Sequence, residues 1–176
     1  SVGKIPEDLF HVISPDEKLM IKDICCNPMR ISHDAADPVA YRFAHGRKKV
    51  AIVTDLGNYN DYTVESLKGM DALLLEANHD INMLQVGPYP YYLKQRILGD
   101  KGHLSNERAG QLLTRLIHDD LQAVLLGHLS KENNMPELAY EAVRVEVTMA
   151  DEGIAVRDLP MQVARRNEVT PVIHIA

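Results

Sequence analysis

Three short apolar runs constrain this chain more than anything else in it: "VAIV" at 50–53, "ALLL" at 72–75 and "AVLL" at 123–126. No polar residue interrupts them. A strand with that pattern is buried on both faces, as in a parallel sheet flanked by other layers. Segments with helical spacing lie between and after the runs. "YTVESLKGM" (62–70) ends at a glycine, and "YPYYLKQRILGD" (89–100) places Leu93, Arg96 and Ile97 on one face. Ser105 reads as the N-cap of "NERAGQLLTRLIHDD", whose Ala109, Leu112, Leu113 and Leu116 share a stripe. "MPELAYEAVRVEVTMADEG" (135–153) is a further helix, with Pro136 in its first turn. Strands alternating with amphipathic helices give a layered α/β domain.

The rest of the chain fits around this frame. "EKLMIKDICC" (17–26) and "MRISH" (29–33) read as two short strands separated by a turn at Asn27-Pro28. "HGRK" reads as the hairpin turn between "VAYRFAHG" and "KKVAIVTDLG". The last twenty residues, with "PMQVARR" and "TPVIHI", read as an extended tail or edge strand. A length of 176 residues with 45% hydrophobic content suits one domain, residues 1–176, with no linker, repeat or low-complexity tract. With no Trp and two Phe, its core is aliphatic.

No run approaches a membrane span, and "SVGKIPEDLF" is not a signal peptide. The adjacent Cys25 and Cys26 build neither a disulfide framework nor a zinc knuckle, so a reducing cytoplasm is expected. A formal charge of −6 gives nucleic acid no overall attraction and leaves that task to local basic groups.

The chemistry gathers where the apolar runs stop. Asp55 follows the first, Glu76-Ala77-Asn78-His79 the second, and His128 the third; His33-Asp34 follows "MRIS". Neighbouring strand ends converge in open α/β sheets, so these side chains are candidates for one site. His, Asp and His from separate strand ends form a common ligand set for a divalent metal. Each also has a plain alternative: Asp55 as a turn former, His33 and His128 as structural or exposed imidazoles. Gly-His-Leu-Ser occurs twice, at 102–105 and 127–130, which presents His103 and His128 in the same local setting. His11, His45, His118 and His174 read as surface residues.

Taken together, "ISHDAADPVAYRF", "VTDLG", "LLLEANHDINML", "GPYPYYLKQRILGDKGHLSN" and "LLGHLSKENN" resemble the second half of the metallo-β-lactamase-fold hydrolases, and most of all their WalJ-like (YycJ-like) branch. The resemblance runs, in order, from about residue 1 to 150. It implies half of an αβ/βα sandwich: a mixed sheet with flanking helices. It implies His33, Asp55 and His128 as metal ligands, Asp55 bridging two ions (zinc or manganese) in the complete fold. It implies His103 as the proton donor to the leaving group, with Glu76 as its acidic partner. His79, Arg96, Lys101 and Ser105 are the candidate substrate contacts, with Lys94 beside them. The family's His-x-His-x-Asp-His signature is absent. Since the chain also lacks an initiator Met, a fragment of a longer protein is the favoured expectation.

The expected activity is metal-dependent phosphodiester hydrolysis, that of a nuclease acting on nucleic acid, with this chain supplying part of the site. Its expected partner is the N-terminal half of the fold or a second copy of itself, and no membrane. Two alternatives stay open: a metal-free interaction or dimerisation module, which would self-associate without metal, and a thioesterase- or lactonase-type hydrolase, which a substrate panel would reveal.

Overall fold

The computed structural model describes residues 3–150 and 160–176. A single seven-stranded sheet runs in the order β1 (Leu19–Ile21), β2 (Ile24–Arg30), β3 (Val39–His45), β4 (Lys48–Val53), β5 (Ala72–Glu76), β6 (Ala123–Gly127) and β7 (Met161–Val163). β1 to β4 form an antiparallel meander; β4, β5, β6 and β7 are mutually parallel. The helices are α1 (Asp61–Leu67), α2 (Ile81–Val86), α3 (Tyr91–Leu98), α4 (Asn106–Thr114) and α5 (Pro136–Ala150). This is the mixed sheet with flanking helices that the sequence implies. The last part of the expected helix over 135–153 lies outside the described residues. No helix among the described residues is long and apolar enough to cross a membrane.

The expected break between two strands fails. Asn27-Pro28 does not interrupt the sheet: β2 runs through it, with Asn27 opposite Arg42 and Pro28 opposite Tyr41. Proline is tolerated there because the Pro28 carbonyl accepts from the Asp16 amide, on the side away from β3. The missing N–H therefore points where β1 has already ended, and no ladder bond is lost. The true turn is Lys22-Asp23, with Lys22 at φ 57°. The β3–β4 hairpin turns at Gly46-Arg47 as expected, with Gly46 at φ 58°.

The two faces of the sheet differ. On one, Ala51, Val53, Leu73, Leu75, Val124 and Leu126 join Val64, Leu112, Leu113 and Val143 of the helices in a continuous aliphatic core. On the other, the register aligns Tyr41, Ile52, Leu74 and Leu125 in a row across β3 to β6. That row is only half-buried, and Ile52 is 43% exposed. The runs read as buried on both faces are therefore covered on one face within this chain.

Candidate active site

Strand direction assembles the site. β2 is antiparallel to β3, and β3 to β4, so β2 points the same way as β4 to β7. Five strands end at one edge of the sheet. His33 follows β2, Asp55 follows β4, Glu76 closes β5, His128 follows β6, and Arg165-Arg166 follow β7. Asp55 and His128 both adopt φ 57°, a left-handed conformation that strains any residue with a Cβ. Each is the residue at which the chain must turn sharply off the sheet.

Glu76 lies at the centre and is fully buried. Its Oε1 accepts from two imidazoles, His103 Nδ1 at 2.8 Å and His128 Nδ1 at 2.6 Å. Its Oε2 accepts from the Leu56 amide at 2.7 Å. Burial alone would raise the Glu76 pKa. The two histidine hydrogen bonds outweigh it and hold the carboxyl below its usual value, so it is ionised and accepts only. The same contact, opposed by burial, raises the pKa of His128. The two Gly-His-Leu-Ser copies thus hang their histidines on one oxygen, with ring centroids 5.3 Å apart.

The rings are not aimed alike. His33 Nδ1 bonds the Gly102 carbonyl at 3.0 Å, an acceptor, so the proton sits on Nδ1 and the Nε2 lone pair is free. That Nε2 lies 3.6 Å from Asp55 Oδ1. His128, with Nδ1 on Glu76, likewise presents Nε2 at 3.7 Å from Asp55 Oδ1. For His103 the nitrogen nearest Asp55 is Nδ1, at 3.8 Å, which is already committed to Glu76. Its Nε2 is the free atom.

These donors suit a divalent cation. Ligand atoms about 2.1 Å from a tetrahedral ion lie roughly 3.4 Å apart, close to the Asp55–imidazole separations seen here. Asp55, Glu76, His103 and His128 form a group whose potential ligand atoms all lie within 4.8 Å of one another. Nδ1–H held by a carboxylate or carbonyl with Nε2 turned inward is also how metal-binding histidines are usually supported.

The remaining candidates divide by exposure. Arg96 lines the cleft above the histidines, and its guanidinium bonds the Asp34 carboxylate, whose pKa this contact lowers. Asp34 Oδ1 in turn lies 3.4 Å from His33 Nε2. Lys101 is exposed outside the cleft lining, and Lys94 Nζ donates to the Gln85 carbonyl. Ser105 is buried, with its hydroxyl accepting from the Arg108 amide as the N-cap of α4. His79 is 1% exposed, and neither ring nitrogen has a hydrogen-bond partner among the described residues. Burial pushes its pKa down to about 4. Neither Ser105 nor His79 reaches the cleft, so both are placed beneath the expected contact surface.

Sequence reading missed two sets of residues. Asparagines stitch the site loops together: Asn106 and Asn134 exchange side-chain bonds of 3.0 and 2.8 Å, Asn134 reaches the Ala77 carbonyl, and Asn78 the His128 carbonyl. Their recurrence in "EANH", "LSN" and "ENN" was the available signal. The second set is the arginine pair after β7, which forms one wall of the cleft. The cleft has a volume of about 920 Å³.

A mixed sheet covered on one face by helices matches half of the αβ/βα sandwich of the metallo-β-lactamase fold. The metallo-β-lactamase fold protein YhfI of Bacillus subtilis superposes with a TM-score of 0.61 and 16% identity, over 87% of this chain and 50% of its own. No family model matches the sequence. Within this fold the chain is similar to the WalJ/YycJ-like branch, as its motifs implied. It is 36% identical over 174 residues to the exodeoxyribonuclease WalJ of Streptococcus pneumoniae, covering 99% of this chain and 64% of that protein. It is 39% identical over 142 residues to the exodeoxyribonuclease YycJ of Bacillus anthracis, covering 81% of this chain and 54% of that protein. The chain thus spans between 54% and 64% of the curated relatives it matches.

Proposed function

We propose that this chain supplies part of the active site of a metal-dependent exodeoxyribonuclease that hydrolyses DNA phosphodiester bonds. The names of its relatives support the substrate class. The observation that carries the chemistry is the difference in ring aim. His33 and His128 turn Nε2 atoms toward one Asp55 oxygen, whereas the His103 nitrogen nearest that oxygen is Nδ1, already bonded to Glu76.

On this reading Asp55, His33 and His128 hold divalent metal, zinc or manganese. Such ions, when bound, lower the pKa of water and polarise a phosphoryl oxygen. Glu76 fixes the His103 ring through Nδ1. His103 Nε2 then gives its proton to the sugar oxygen as the P–O bond breaks, and the neutral ring recovers a proton from solvent. Arg96 and Lys101 contact substrate phosphates, Arg96 by exchanging its Asp34 partner. His79 and Ser105, being buried, support the loops that carry His103 rather than touching substrate.

The half-buried row Tyr41–Ile52–Leu74–Leu125 is the seat of the partner, either the remaining part of the fold or a second copy. The free thiols of Cys25 and Cys26 suit a cytoplasmic protein.

Comparing His103→Ala with His128→Ala in the complete protein tests the division of labour. His103→Ala is expected to lower kcat by about 10²–10⁴ with metal content retained; His128→Ala is expected to lose metal as well. Equal metal loss in both rejects the assignment.

A further inference from the structure

We propose that Arg166 is a phosphate-binding residue of this site, gripping the backbone phosphate next to the scissile one in a bound DNA strand. The inference rests on the nuclease reading and adds a residue to which neither the sequence motifs nor the relatives assign a role.

Topology places it. β7 pairs in parallel with β6, Leu126 opposite Val163, and the Ala164 amide extends the ladder to the Leu126 carbonyl at 2.8 Å. The residues after β7 therefore emerge beside those after β6. Arg166 Nη2 donates to the carbonyl of Leu129, the residue after His128, at 2.9 Å. That single bond anchors the guanidinium at the wall of the cleft. Among the described residues its other N–H groups meet no side-chain acceptor, which leaves them for a planar, two-oxygen acceptor such as phosphate.

Charge singles it out from its neighbours. Arg96 is engaged by Asp34, and Arg165 by Glu137 and Glu168. Lys131, also on the cleft wall, lies 3.9 Å from Glu132. Arg166 has no carboxylate within 4.0 Å among the described residues, although it lines the same cleft as His33, His103 and His128. Asp34 lines the cleft, Asp55 and Glu76 lie against its histidines, and the whole chain carries −6. A polyanion entering this cleft needs a fixed cation near, but not on, the ligand cluster. Arg166 meets that need.

The test is binding of a fluorescent single-stranded deoxyoligonucleotide to the complete protein, held in chelator to prevent cleavage, across a range of salt concentrations. Arg166→Gln is expected to weaken binding about tenfold at low salt. It should make the log Kd against log[salt] line shallower by about 0.7, the loss of one single-strand phosphate contact. Arg166→Lys should restore most of the slope. An unchanged slope in Arg166→Gln overturns the proposal, even with weaker binding, because Arg166 would then only shape the loop after His128. So does a lysine variant that behaves like glutamine. Wild-type protein that fails to bind the oligonucleotide at any salt sinks the nuclease reading itself, and this inference with it.

Discussion

At the scale of single residues the site turns on Glu76, which orients two imidazoles through one oxygen while shielded from water. Glu76→Gln keeps the shape and removes the charge. It should weaken metal binding about 10–100-fold, the usual cost of losing a partner behind a ligand. Calorimetric titration of zinc or manganese reads this directly, and unchanged affinity would contradict it. His79 makes a different prediction. Its folded pKa of about 4 lies below the unfolded value near 6.5, so the unfolded chain takes up the proton first and stability falls as pH drops through that window. Between pH 7 and 5 the loss from His79 alone is about 2 kcal/mol. His79→Leu should abolish that loss in urea unfolding at the two pH values; an equal decline in both proteins would show that His79 does not stay neutral. Glu76 acts lower on the scale: its depressed pKa contributes stability above the unfolded value, near 4.3, that disappears as pH falls through the folded one. The positions of Asp55, Glu76 and His128 were legible because each follows or closes an apolar run, that of His33 because it follows "MRIS", and that of His103 because it repeats the Gly-His-Leu-Ser setting of His128. The aim of His33 and His128 was not, because the acceptors that orient those two rings, the Gly102 carbonyl and the Glu76 carboxylate, come from distant parts of the chain. The burial of His79, a candidate substrate contact, was not legible for a related reason: the loops after β5 and β6 and the start of α4 close over it.

At the scale of elements, the connection between α3 and α4 does most to hold the histidines. Its carbonyl at Gly102 orients His33 while the next residue, His103, enters the cleft. A Cβ on Gly102 would sit 2.1 Å from the Ile97 carbonyl oxygen and 2.4 Å from that of Arg96, both backbone atoms of α3 that cannot step aside. Gly102→Ala should therefore displace the turn, cost about 2 kcal/mol in unfolding free energy, and weaken metal binding through His33. Thermal unfolding together with a metal titration checks both; a variant with wild-type values would mean the turn is more pliant than its packing suggests. Periodicity and caps made most elements readable. Ser105 caps α4 as its position before an amphipathic stripe implied, and Gly46 turns the hairpin. Pro28 was misread because a proline's cost to a strand depends on which way its nitrogen points, and that is set by where β1 stops. β7 is the edge strand read in "PMQVARR", but its short pattern does not show that it pairs with β6, and the arginine pair this pairing brings to the cleft went unnoticed.

At the scale of the molecule, one sheet edge gathers the chemistry and one sheet face remains half-covered. Both follow from a parallel β4–β7 block with its long helices on a single side. The central claim is that strand ends distant in sequence share metal, with His33 and His128 as ligands and His103 held back for proton transfer. Anomalous diffraction from crystals of the complete protein grown with manganese or zinc tests it most directly. The account predicts metal peaks within about 2.2 Å of the Asp55 carboxylate, with Nε2 of His33 and Nε2 of His128 in coordination and His103 outside it. Peaks coordinated by His103, or none within reach of Asp55, would contradict it.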